Sequence, residues 1–118
     1  MEQLLQALRG LRAPIQQGEY DLHALVMRQL DSAGIPFVHE AKLAPRCRID
    51  LLAGDIGIEI KRGKVQKSRL WEQLRRYAAC ERVQGLILVA EQTVALPRTL
   101  NGKPVYGLFL NKLWGIAL

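Results

Sequence analysis

Apolar positions recur at two different spacings along this chain, and the switches between them mark out its elements. Leu4, Leu5, Leu8 and Leu11 recur at helical spacing, so residues 2–12 are expected to form a short amphipathic helix, punctuated by Pro14 and Gly18. A second helix is expected from Glu19 to Ala33, where Leu22, Leu25, Val26, Gln29 and Leu30 keep the period and Gly34 and Pro36 stop it. The pattern then shortens. "PFVHEAKL" reads as a strand, and "RIDLLAG" and "IGIEIKR" as a hairpin around Gly54-Asp55. Helical spacing returns from Lys67 to Arg82 through Leu70, Leu74, Tyr77 and Ala78, with Trp71 at the margin. "GLILVAE" is apolar without interruption and is expected to be a strand buried on both faces. "PRTLNGKP" reads as a loop, "VYGLFL" as a last strand, and "KLWGIAL" as a tail compatible with either type.

A hairpin followed by a helical crossover implies an α/β fold, with a mixed central sheet of about four to five strands flanked by helices. The 118 residues suit a single domain: residues 1–18 an N-terminal helix and linker, 19–110 the core, and 111–118 the tail.

The hairpin is unusual in what it carries. Asp50, Glu59 and Lys61 lie inside strands, where carboxylates are poor formers. A two-residue loop with glycine at its first position suits a type II′ turn and sets Asp50 opposite Glu59. Alternation puts Glu59 and Lys61 on one face with Asp50, and Ile49, Leu51, Ile58 and Ile60 on the core side. Two carboxylates paired this way stand about 4.5–5.5 Å apart at Cβ and repel each other. A divalent cation or a raised pKa would relieve them, and Mg²⁺ takes just such oxygen ligands. A solvent-facing polar stripe is the other reading of the same pattern.

Composition changes the picture in one respect. The chain is 49% hydrophobic and 24% charged, ordinary for a globular protein, and no apolar run reaches the length of a membrane span. The N-terminus lacks the features of a signal peptide, and Cys47 and Cys80 are far apart with no zinc-type spacing. A cytoplasmic protein with reduced thiols is expected. The net charge of +6 is unevenly spread: from Lys61 to Arg82 there are eight basic residues against two acids. A polyanionic partner fits that distribution.

With these residues in view, Asp50, eight residues, then "EIK" at Glu59–Lys61 resembles the core motif of the PD-(D/E)XK nuclease superfamily. Gln73 and Tyr77 resemble the QxxxY motif of its RecB-like branch, and His23 that branch's upstream histidine. Asp50 follows Ile49 rather than proline, a common departure. The resemblance covers about residues 19 to 90. It implies a restriction-endonuclease-like core and a metal-dependent deoxyribonuclease. Asp50, Glu59, the Ile60 carbonyl and His23 would be placed around Mg²⁺ or Mn²⁺, Lys61 would position or activate water, and Gln73 and Tyr77 would complete the catalytic set. Glu19 and Glu40 are candidate auxiliary acids. His39 is given no role.

Residue chemistry agrees in part. Gln73 and Tyr77 project from one helix face and both need hydrogen-bond partners, although a core tyrosine with a glutamine at its edge would look the same. A neutral imidazole at His23 suits a metal, and equally the edge of an amphipathic core. Lys64, Lys67, Arg69, Arg75 and Arg76 read as a solvated helical face or as contacts to a DNA backbone, which give affinity without sequence information. A homodimer that cuts both strands is compatible with the size. The rivals are a non-catalytic DNA-binding or assembly module that keeps the nuclease fold, and a protein-interaction domain with no nucleic-acid role.

Overall fold

The computed structural model describes residues 1–13 and 20–115. Pro14, Gly18 and Glu19 lie outside the described residues. The elements run α1 (Glu2–Leu8), α2 (Leu22–Ser32), β1 (Val38–Ala44), β2 (Cys47–Ala53), β3 (Ile56–Lys61), α3 (Lys67–Ala78), β4 (Gly85–Ala90), β5 (Thr99–Leu100), β6 (Lys103–Phe109) and α4 (Leu110–Leu113). The strands form one mixed six-stranded sheet in the order β1-β2-β3-β4-β6-β5. β1, β2 and β3 are an antiparallel meander, β3, β4 and β6 are parallel, and β5 returns antiparallel on β6. Helices cover both faces, so the expected α/β architecture is present with a strand more than expected.

That strand sits where a loop was expected. Asn101 and Gly102 take φ values of 52° and 74°, the left-handed pair that a tight two-residue hairpin turn requires. The turn also caps α3, since Asn101 Nδ2 donates at 3.2 Å to the Ala78 carbonyl, one of those that a helix end leaves open. Just past the helix, Lys103 Nζ donates to the Cys80 carbonyl at 2.8 Å. These bonds tie the hairpin to the end of α3. They also mark where α3 stops, four residues short of Arg82. α2 begins later than expected because Asp21 is its N-cap, its side chain accepting from the Ala24 N–H at 3.1 Å. α1 ends at Leu8, yet Leu11 is still buried beyond it.

Two cores result, one on each face. On the first, Leu4, Leu5 and Leu8 of α1, Leu22, Val26 and Leu30 of α2 and Leu110 of α4 meet Leu51, Ile58, Ile60, Ile87 and Val89. On the second, Leu70, Leu74, Tyr77 and Ala78 of α3 meet Ile49, Leu52, Leu86, Leu88 and Ala90. β4 is buried along its whole length, as its apolar run implies.

The β2–β3 register agrees with the expected one: Ala53 pairs with Ile56, Leu52 with Gly57 and Leu51 with Ile58 around Gly54, whose φ is 62°. Ile49 corrects the expected facing. It packs in the α3-side core with Leu52, not with Leu51, so strand alternation is interrupted at Asp50. Gly57 makes the room: a Cβ there would stand 2.5 Å from Ile49 Cδ1.

Candidate active site

Asp50 and Glu59 meet where the hairpin ladder ends. Beyond the Leu51–Ile58 pair, side chains replace main-chain rungs. Asp50 Oδ2 accepts from the Ile60 N–H at 2.8 Å, and the Asp50 N–H reaches Glu59 Oε1 at 3.4 Å. On the other side of β2, the pairs Ala41–Ile49 and His39–Leu51 bracket Glu40, which is exposed and has φ 52°. Glu40 therefore stands across the register from Asp50, on the far side from Glu59.

Glu59 is no part of a solvent-facing stripe. It is 2% exposed, the one buried polar or charged residue among those described. Alternation sends Ile58 and Ile60 into the α1–α2 core, which turns Glu59 under α3. There Lys61 Nζ lies 3.2 Å from its Oε2. The Tyr77 hydroxyl stands as donor to both Glu59 Oε1 at 3.3 Å and the Arg48 carbonyl at 3.1 Å, its one proton shared between them. Burial, reinforced by the charge on Asp50 and opposed by Lys61, pushes the Glu59 carboxyl from its ordinary 4.5 up to about 7. Burial and the same two carboxylates also hold the Tyr77 phenol well above its usual value.

Gln73 is half-buried one turn before Tyr77, on the rim between two hollows. One, of about 240 Å³, is lined by Lys61, Arg62, Lys64, Gln66, Arg69 and Gln73, among others. The second, smaller hollow is lined by Arg46, Cys47, Arg48, Gln73, Arg76 and Tyr77. The five basic residues singled out in sequence thus divide. Lys64 and Arg69 join Lys61 in the groove, and Arg76 faces the other hollow. Lys67 and Arg75 lie over the Trp71 ring at 5.4 and 5.9 Å.

His23 is not brought to the carboxylates. Its helix packs on the opposite face of the sheet, and among the described residues no group of three or more His, Cys, Asp and Glu side chains forms. Glu19 lies outside the described residues. The donor set on hand is Asp50 and Glu59 with the neighbouring main chain. Two carboxylates that disfavour each other's charge, one buried, suit a hard divalent cation that would neutralise both.

Compared with family models, curated proteins and solved structures, the chain finds no match.

Two groupings were not foreseen. Glu91, just past β4, accepts from the Tyr20 hydroxyl, from the Gly63 N–H at 2.6 Å and from Arg62 Nε at 3.4 Å, while its own N–H donates to the Lys61 carbonyl at 3.2 Å. Arg62 also stacks over the Tyr20 ring at 4.2 Å. Burial opposes ionising Glu91, but the bonds from Tyr20, Gly63 and Arg62 outweigh it and hold the carboxyl below its usual range. Burial and Glu91 push the Tyr20 phenol up to about 12. The effect is a strap that fixes the end of β3, and Lys61 with it. In sequence Glu91 is only the last residue of an apolar run, and nothing local pairs it with Tyr20. The second grouping is Cys47 with Cys80, both free thiols, now neighbours; burial and Cys80 together push the Cys47 thiol up.

Proposed function

We propose that this chain is a metal-dependent nuclease of the PD-(D/E)XK type, hydrolysing phosphodiester bonds of DNA. The observation that supports this reading is the buried Glu59, held against Asp50 and ion-paired to Lys61 under Tyr77. A solvated stripe has no use for such an arrangement, since burying a carboxylate beside another is costly without a compensating role.

Asp50, Glu59 and the Ile60 carbonyl would hold Mg²⁺ or Mn²⁺. When bound, the cation supplies a lowered pKa for water and neutralises charge developing on the scissile phosphate. Lys61 presents an ammonium group beside the carboxylates, able to orient a hydroxide or to stabilise a phosphoryl oxygen. Tyr77 fixes Glu59 from above, and the Asp50–Ile60 bond fixes the second carboxylate. Lys64 and Arg69 give the adjoining groove the positive charge to follow a phosphate backbone.

The test is cleavage of single-stranded, double-stranded and branched DNA with Mg²⁺ and with Mn²⁺. Activity that is lost in Lys61→Ala and Asp50→Asn, both still folded, supports the proposal. A wild-type chain inactive on all three substrates with both metals overturns it. The non-catalytic DNA-binding module is the second reading. It draws on the fact that both oxygens of Glu59 already have protein partners, and it predicts DNA binding without turnover.

A further inference from the structure

The smaller hollow beside Tyr77 brings together three arginines that the catalytic set does not include. Arg46, Arg48 and Arg76 line it with Cys47, Gln73 and Tyr77, and none of the six is acidic. It has a volume of about 70 Å³, suited to one small anion, and next to it a broader hollow of about 430 Å³ is lined by Lys42, Arg46, Cys47 and Arg48. The positive lining therefore continues along the β1–β2 hairpin, outside the stretch of charge visible in the sequence.

The backbone gives an independent reason to single out Arg46. Ala44 pairs with Cys47, so Pro45 and Arg46 form a two-residue loop, with Arg46 at φ 60°. Proline followed by a residue in the left-handed region is a turn where glycine or asparagine is the comfortable choice. An arginine there keeps a strained conformation, and such strain concentrates where a side chain serves a ligand. Guanidinium groups are also the cations best suited to phosphate oxygens, because their donors form a planar fork.

We propose that this pocket is a phosphate subsite, taking one phosphate group of a nucleic-acid strand whose scissile bond lies at Asp50 and Glu59. The placement rests on the nuclease reading. Tyr77 spans the two positions, lining the pocket while its hydroxyl contacts Glu59. The phosphate is either an internal diester or the monoester at a strand end.

The test is fluorescence anisotropy in EDTA, where no hydrolysis occurs, with a single-stranded oligonucleotide carrying either a 5′-phosphate or a 5′-hydroxyl. Arg46→Asn suits the turn and removes the charge. It is expected to melt no lower than wild type, to bind about fivefold more weakly, and to lower the salt slope of binding by about one. Arg76→Gln should behave alike in binding, whereas Arg28→Gln, on α2 across the sheet, should change nothing. A loss confined to the 5′-phosphate probe assigns the pocket to strand ends; an equal loss on both probes assigns it to an internal phosphate. Wild-type affinity in both pocket variants overturns the proposal, as does a wild-type chain that binds neither probe. Pocket-dependent binding by a chain that never cleaves would leave the subsite standing and remove the nuclease reading instead.

Discussion

On one face of the sheet, α1, α2 and α4 close over Leu51, Ile58, Ile60, Ile87 and Val89, an apolar core throughout. On the other, α3 closes over Leu52, Leu86 and Leu88 and also over Glu59. The same strand, β3, serves both, sending Ile58 and Ile60 one way and Glu59 the other. Apolar burial stabilises the first face without regard to pH. The second accepts a group whose ionisation opposes its own burial, so its stability and its proposed chemistry depend on the same carboxylate. Proteins commonly trade stability for a functional site in this way.

The sharpest way to break that contrast is at Lys61. Lys61→Ala should lower the rate of metal-dependent cleavage by about 10²–10³, the loss typical of one electrostatic stabiliser, with an unchanged circular dichroism spectrum. An equivalent truncation on the first face should cost stability and leave the rate per folded molecule alone.

A smaller effect separates the faces by pH. Burial and the neighbouring Asp50 charge push the Glu59 carboxyl up from its ordinary 4.5 to about 7 in the folded chain. Between those values the folded chain holds a proton that the unfolded chain has released, so stability falls as pH rises through this window. Denaturant titration at pH 5 and pH 8 should show a drop on the order of 2–3 kcal/mol. Glu59→Gln should abolish the drop and melt higher than wild type at pH 8 while losing cleavage. Mn²⁺ should offset the drop in the wild type, because binding to the folded state adds stability. A wild-type chain equally stable at both pH values would contradict the buried, charge-opposed carboxylate.

Packing under the α3 face can be probed at Gly57. Gly57→Ala drives a methyl group against Ile49 and should destabilise the chain by about 1–3 kcal/mol in urea unfolding. Ile49→Val in the same chain should recover part of that loss. The smallest effect is expected from Tyr77→Phe, about 1 kcal/mol for one lost hydrogen bond. Removing a donor from the ionised form should move the Glu59 titration further up, visible as an alkaline shift in the pH–rate profile. A purely structural tyrosine would lower stability and leave that profile in place.

Much of this was legible in the sequence. The register around Gly54-Asp55, the face shared by Glu59 and Lys61, the buried run of β4 and the spacing of Gln73 and Tyr77 all follow from period and turn chemistry. The facing of Ile49 was not, because alternation assumes an unbroken strand. The break falls at Asp50, where the carboxylate accepts from the Ile60 N–H, a side-chain bond that alternation does not foresee. Asn101-Gly102 carried a hairpin signal, but a strand of two residues, Thr99–Leu100, is too short to show a period. The Glu91–Tyr20 contact and the arginine pocket are tertiary groupings of distant segments, and no local pattern encodes them.

The sheet order carries a consequence for synthesis. β4, the most apolar strand, lies between β3 and β6, and β6 leaves the ribosome after it. Until then one edge of β4 offers unpaired amides and carbonyls to any passing strand, and the Ala78 carbonyl at the end of α3 still awaits Asn101. The helix that shelters Glu59 is thus tied down by some of the last contacts to become available, so an open strand edge precedes the full enclosure of that carboxylate.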